Sequence, residues 1–292
     1  MAILASITIF ILCLGGLFVL LHLLIYYKFF LSHKRLAPIA KRFYNYFYSI
    51  KGIDHLSINN YGFAPVDNDL AVYPPVFQFG IQLYKELVKN GSGYMITDKS
   101  KVVEIGCGKG AGAAYLIQKF HPLHFTGIDY SSQAIGYCKK NYPQLKNAQF
   151  ICADAHAIPL PDGFADVVIN VESSHIYKDP FAFFKEVNRV LQPNGKFLFT
   201  DYRYLKHCSI LQLEKEIKDS GFLILHKRDI TQNIYDSCIG ASPFRKNLIE
   251  EASPPFLKKY FGHYSGLKGS KKHLQFGNGE IVYFIYHLEK QS

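Results

Sequence analysis

Five short apolar runs alternate with amphipathic stretches between residues 101 and 202, and that alternation constrains the fold more than any other feature. The runs are KVVEIG, HFTGID, AQFICAD, ADVVINV and KFLFTDY, rich in β-branched and aromatic residues. Between them, AAYLIQKF, SQAIGYCKKNY and FAFFKEVNRVL place apolar residues at helical spacing. Strand–helix alternation of this kind predicts an α/β fold with a doubly wound, mostly parallel sheet. Ligands of such sheets bind outside the carboxyl ends of the strands, so the strand ends are where chemistry is expected.

The first strand runs into VVEIGCGKGAG. Gly106, Gly108 and Gly110, with Cys107 between the first two, let a ligand approach backbone that a side chain would block. Taken alone the pattern is weak. It also satisfies the dinucleotide fingerprint G-x-G-x-x-A, and tight strand–helix packing uses glycines in the same way. Asp129 and Tyr130 close the second strand, where a carboxylate accepts both hydroxyls of a ribose. Asp154 and Ala155 follow the third, positioned to meet an adenine edge. Glu104 lies inside the first strand, two residues before the first glycine; a carboxylate buried there needs donors or a cation.

The fourth strand ends in NVESSHIY, with Asn170 and Val171 at the strand end and Glu172 and His175 just beyond. An imidazole with an ordinary pKa near 6.5 is a natural general base. Asp201, at the end of the next strand, is placed to orient it and to stabilise its cation. The alternative for His175 is a structural histidine with satisfied hydrogen bonds. Glu172 either positions the reacting groups or caps the helix opened by Asp179-Pro180.

The set E-x-G-x-G-x-G, GID, ADAxxxPxPDGxxDVV and LxPxGxFLxTD, spanning about residues 98–205, resembles the class I S-adenosylmethionine-dependent methyltransferases. NVESSHIY, the tail GLKGSKKHLQFGNGEIVYFIYHLEK and the segment NNYGFAP are similar to the branch containing phthiotriolone-type lipid and fatty-acid O-methyltransferases. The resemblance implies a seven-stranded, Rossmann-like sheet and S-adenosylmethionine as cofactor. By matching position it implies that Glu104, Gly106, Cys107, Gly108 and Gly110 serve the methionine end. Asp129 and Tyr130 would serve the ribose, Asp154 and Ala155 the adenine, and Asn170 and Val171 would lie beneath the sulfonium. His175, Asp201 and Glu172 are then the catalytic candidates. The expected reaction is methyl transfer to an oxygen of a hydrophobic, lipid-like acceptor. Rival readings are a sterol-type C-methyltransferase, an NAD-dependent oxidoreductase that shares the glycines and the ribose acid, and a non-catalytic scaffold.

Residues 2–27 carry no Lys, Arg, Asp or Glu and are long enough to cross a hydrocarbon core of about 30 Å. Most soluble members of the branch lack such a segment. A cleaved signal peptide would have a basic start and a small-residue cleavage site, and neither is present. Tyr26, Tyr27 and Lys28 supply interfacial anchors. The stretch from Lys28 to Lys51 holds six Lys/Arg and no acid, the first acid of the chain being Asp54. With a net charge of +10, this basic aromatic flank suits an anionic membrane surface rather than nucleic acid, because an apolar span precedes it. The positive flank follows the span, which predicts a single-pass protein with its catalytic domain in the cytoplasm. The expected layout is a transmembrane anchor (1–27), a juxtamembrane segment (28–60) and a methyltransferase domain (61–292). That domain divides into lid and N-terminal helices (61–97), cofactor-binding core (98–205), and substrate-side insertion with C-terminal strands (206–292). The six cysteines show no paired spacing and read as reduced thiols. His121, His124, His156 and His263 lack metal-ligand spacing, so surface or core roles and no metal are expected.

Overall fold

A computed structural model describes residues 45, 48, 59–91, 93–253 and 255–291, all within the unit Lys41–Ser292. The apolar run 2–27 and most of the basic flank lie outside the described residues, as do the proposed boundaries at 27 and 28. Among the described residues, no helix is long and apolar enough to cross a membrane.

Seven strands form one sheet: β1 (Lys101–Ile105), β2 (His124–Asp129), β3 (Ala148–Cys152), β4 (Ala165–Val171), β5 (Leu191–Tyr204), β6 (Phe222–Asp229) and β7 (Ile281–Lys290). Their spatial order is β3-β2-β1-β4-β5-β7-β6, parallel from β3 to β5, with β7 antiparallel to both β5 and β6. The order reverses between β1 and β4, which opens the crevice typical of doubly wound sheets at the carboxyl ends of those two strands. The five expected strands are present. β5 starts five residues early, since Leu191 already pairs with Ala165 before a register shift carries the Gln192–Gly195 turn.

Alternation along β1 shows how the sheet is buried on both faces. Val102 points into one apolar layer and Val103 and Ile105 into the other. The first layer is covered by α1 (Pro75–Val88), α2 (Ala111–Phe120), α3 (Ser132–Asn141), α6 (Thr231–Ala252) and α8 (Lys271–Gly277). The second is covered by α4 (Pro180–Val190) and α5 (Ile210–Asp219), and is dominated by Phe183, Phe184, Phe197, Phe199 and Phe222. Each of these rings is almost wholly withdrawn from water, contributing roughly 1.5–3 kcal/mol. The remaining helix, α7 (Pro255–Tyr264), packs on α6 and α8. Asp179 caps α4 with its own carboxylate, accepting from Ala182 N at 2.9 Å, so Glu172 is not that helix's cap.

The aromatic segment after residue 60 is largely core. Tyr61, Phe63, Leu70, Ile81, Leu83 and Tyr84 are buried in the first layer. Tyr61 O accepts from Ser237 Oγ at 2.8 Å and from Arg245 at 2.9 Å, which ties this stretch to α6.

Candidate active site

The turn after β1 exists only because its residues are glycines. Gly106 has φ +79°, and a Cβ there would lie 2.4 Å from Ser173 Oγ. Gly110 (φ +77°) starts α2, where a Cβ would press on Cys138 Sγ at 2.9 Å. The loop is held by β2: Ile128 O accepts from Gly106 N and Cys107 N, and Asp129 Oδ2 accepts from Gly108 N at 2.9 Å. Asp129 Oδ1 accepts from Ser131 N at 2.8 Å. Burial raises the pKa of Asp129, partly offset by these two N–H donors, and each oxygen keeps a lone pair for a further donor. Tyr130 is half-buried immediately beyond. The Cys107 thiol is free and buried, and contact with Cys138 together with burial pushes its pKa up, so it lines the loop as an unreactive group.

Glu104 is fully buried. Its Oε1 accepts from Tyr84 Oη at 2.6 Å, whereas Oε2 has no partner among the described residues. Tyr84 reaches it by crossing Gly112, where a Cβ would stand 2.1 Å from the ring. Burial pushes the Glu104 carboxyl up to about 7 despite the tyrosine, and nearby Asp129 adds to the rise. A buried carboxylate oxygen without a donor is costly, and an ammonium group is the ligand that best relieves it. The loop, the half-spent Asp129 carboxylate and the unmet need of Glu104 therefore fit a molecule carrying a ribose and an amino-acid end.

The other expected cofactor residues lie along the same edge. Asp154 Oδ1 accepts from His156 N at 2.9 Å and meets His156 Nδ1 at 2.7 Å, and the other ring nitrogen lies 3.1 Å from Asp179 O. Ala155 is buried beside it. Asn170 donates to Ile105 O (2.9 Å) and Ser173 Oγ (2.7 Å), while its Oδ1 is buried without a partner among the described residues. Val171 is buried at the end of β4, in register with Thr200.

β4 leaves the sheet through Glu172, which adopts φ +45° although it is not glycine, a strained geometry costing of order 1–3 kcal/mol that recurs at functional sites. A short 3-10 turn, Ser174–Ile176, then brings His175 over the end of β5. Asp201 receives it at two points: His175 N donates to Oδ2 at 2.9 Å and His175 Nδ1 lies 2.9 Å from Oδ1. Ser174 Oγ (2.6 Å), Tyr202 N (2.8 Å) and Arg203 (3.2 Å) complete the shell of Asp201. Burial works to raise the pKa of Asp201, but the charges of His175 and Arg203 prevail and hold it well below the usual carboxylate range. As a permanent acceptor, Asp201 requires the hydrogen on Nδ1, which leaves Nε2 as the basic nitrogen. Burial lowers the pKa of His175; Asp201 opposes this, and the cations of Arg203 and Lys272 reinforce it. His175 is thus neutral at pH 7 and able to take a proton.

Glu172 is bonded differently. Its Oε1 accepts from Tyr61 N at 2.7 Å and Tyr283 Oη at 2.8 Å, joining β4 to the segment before α1 and to β7. Burial raises its pKa to about 8 against the pull of both donors. Tyr61, Tyr84, Tyr283, Arg203 and Lys272 were not singled out by sequence reasoning. Lys272 lies within the tail GLKGSKKHLQFG, where nothing local separates a buried lysine from its exposed neighbours. Among the described residues, no group of three or more His, Cys, Asp or Glu is arranged to hold a metal ion.

A family model described as a methyltransferase domain matches residues 103–199, the stretch that contains the glycine loop, Asp129, Asp154 and the His175 turn. The phthiotriol/phenolphthiotriol dimycocerosates methyltransferase of Mycobacterium tuberculosis is 32% identical over 190 residues, which cover 65% of this chain and 69% of that protein. The chain belongs to the S-adenosylmethionine-dependent methyltransferases. A fatty-acid O-methyltransferase of Mycolicibacterium smegmatis is 29% identical over 236 residues, 80% of this chain and 84% of the relative. The fold of this methyltransferase is shared with a cyclopropane synthase of M. tuberculosis (TM-score 0.63, 14% identity, covering 83% and 95% of the two chains). It is shared also with geranyl diphosphate C-methyltransferase of Streptomyces coelicolor (TM-score 0.61, 14% identity, 86% and 96%). The methyltransferase uses S-adenosylmethionine, and the buried oxygen of Glu104 that lacks a partner among the described residues fits the ammonium of that cofactor.

Proposed function

We propose that this methyltransferase moves the methyl group to an oxygen of a hydrophobic, lipid-like acceptor at a membrane, with His175 as general base. The observation that carries the reading is the His175–Asp201 pair: a neutral imidazole with Nδ1 fixed by a permanently ionised carboxylate beside the cofactor crevice. The names of two relatives, one a fatty-acid O-methyltransferase, support a lipid acceptor.

S-adenosylmethionine supplies an electrophilic methyl on a sulfonium. The chain has to align the acceptor with it and deal with one proton. Near-attack alignment is worth up to about 7–11 kcal/mol. Where the acceptor is a hydroxyl, His175 Nε2 takes the proton, an effect of about 10²–10⁴-fold, and Asp201 stabilises the imidazolium. Glu172 is a positioning residue, fastening Tyr61 and Tyr283 over the crevice. Glu104 and the Gly106–Gly110 loop hold the methionine end, Asp129 with Tyr130 the ribose, and Asp154 with Ala155 the adenine. Asn170 and Val171 floor the reaction centre.

The apolar run 2–27 with its basic flank serves, in this reading, as a single membrane span that leaves the enzyme on the cytoplasmic side, where a lipid acceptor is locally concentrated. The layout of anchor, flank and methyltransferase domain follows from it. The test is incubation of the full chain with methyl-labelled S-adenosylmethionine and a total lipid extract, followed by mass spectrometry. An O-methylated lipid is expected. Label on carbon alone, or no labelled lipid despite cofactor binding, overturns the proposal.

A further inference from the structure

Lys272, on α8, is 3% exposed, and its Nζ lies among tyrosine rings, with Glu172 and Asp201 near enough to act on its charge but not paired with it among the described residues. Nζ lies 4.3 Å from the ring centroid of Tyr202, 4.6 Å from that of Tyr204 and 5.6 Å from that of Tyr61. It donates to Tyr204 Oη at 2.6 Å, leaving two of its three N–H groups without an acceptor among the described residues. No carboxylate there forms an ion pair with it. Asp201 is taken by His175 and Arg203, and Glu172 bonds Tyr61 and Tyr283. The His175 ring stands on the same Tyr202, with centroids 4.2 Å apart, so base and cation share one aromatic wall.

Taking an ammonium out of water costs several kcal/mol unless a counter-charge and acceptors await it. Aromatic faces recover only part of that. A neutral acceptor gives no physical reason to keep such a group here, whereas an anionic one completes it.

We propose that Lys272 is the specificity-determining residue for the acceptor's head group, pairing through its caged ammonium with an oxygen anion, a carboxylate, at the end of an apolar chain. This rests on the O-methyltransferase reading above and names the head group that the same site selects. Burial holds the pKa of free Lys272 down to about 7, with Glu172, Cys238 and Asp201 pulling the other way, and an arriving anion restores its charge. An acid that enters protonated leaves its proton on Lys272 Nζ. One carboxylate oxygen then forms the C–O bond as the methyl's C–S bond breaks, the bonding pair departing on sulfur. Carboxylate and sulfonium become a neutral ester and a neutral thioether. Lys272 thereby loses its counter-charge, which favours release of the product.

The test measures binding of palmitate and of 1-hexadecanol to the full chain saturated with S-adenosylhomocysteine, which prevents turnover. Wild type is expected to prefer the acid by about tenfold or more, the advantage of a charge-assisted hydrogen bond. Lys272→Met should abolish that preference while leaving hexadecanol and S-adenosylmethionine affinities within about threefold, and Lys272→Arg should retain part of it. Equal affinities in wild type, or an acid preference that survives in Lys272→Met, overturns the proposal. If Lys272→Met does not fold, loss of the acid preference in Lys272→Arg while cofactor affinity is kept overturns it instead. These outcomes differ from failure of the O-methyltransferase reading, which shows as the absence of O-methylated lipid from the wild-type enzyme.

Discussion

The two halves of the crevice are built in different ways. The cofactor half comes from consecutive strand–turn–helix pieces, in which Gly106–Gly110 and Asp129 are locked mainly by backbone hydrogen bonds between neighbouring strands. The proposed acceptor half is assembled from side chains far apart in sequence: Tyr61, Glu172, His175, Asp201, Lys272 and Tyr283. Backbone-held geometry tolerates variation in most side chains but not in its glycines. Side-chain-held geometry lets the acceptor change while the cofactor site stays constant.

The largest break in this comparison comes from removing the base. With a hydroxyl acceptor, His175→Ala should lower kcat by about 10²–10⁴-fold while the cofactor Kd is unchanged by calorimetry. Asp201→Asn should behave similarly, because it frees the imidazole to adopt the wrong tautomer.

A backbone lesion should do the reverse. Gly106→Ala meets both the positive φ and Ser173, and strain of about 1–3 kcal/mol should weaken cofactor binding by roughly 5- to 150-fold, with less effect on the rate at saturating cofactor.

Glu104 sharpens the comparison through pH. Its pKa near 7 in the cofactor-free protein means that the carboxylate suited to an ammonium is scarce at pH 6 and prevalent at pH 8. Cofactor affinity should therefore rise about tenfold across that range, and Glu104→Gln should flatten the profile. The sign for stability is opposite. With a folded pKa raised above the ordinary 4.5, the group's contribution to the stability of the cofactor-free protein is complete below pH 4.5 and lost as pH rises through about 7, whereas stabilisation by cofactor in a thermal melt follows the affinity and should be larger at pH 8 than at pH 6.

The smallest effect is expected from Tyr283→Phe, which removes one hydrogen bond to Glu172. It should cost about 0.5–1.5 kcal/mol of stability and raise KM for the acceptor without altering cofactor affinity.

Much of the cofactor half was legible in the sequence because its determinants are local. A β-branched run, a glycine turn and an acid at the next strand end lie within about thirty residues, and each is demanded by φ/ψ or by a strand-end position. The contact between His175 and Asp201 was anticipated from their places after β4 and on β5, although β5 continues past Asp201 to Tyr204. The role of Glu172 was not, since its partners are 111 residues away in either direction. The segment after residue 206 resisted reading because β6 pairs with β7 across the whole of α6–α8, and no local pattern encodes that register.

The sequence by itself determined the alternating α/β core, the family and the cofactor, since strand period, glycine geometry and strand-end acids act over short distances. Only the tertiary structure showed that Glu172 bonds Tyr61 and Tyr283, that Asp201 lies against Nδ1 of His175 and that Lys272 stands among tyrosine rings. Burial and hydrogen-bond partners across a sheet depend on chain crossings, and a linear pattern does not record which side chains those crossings bring together.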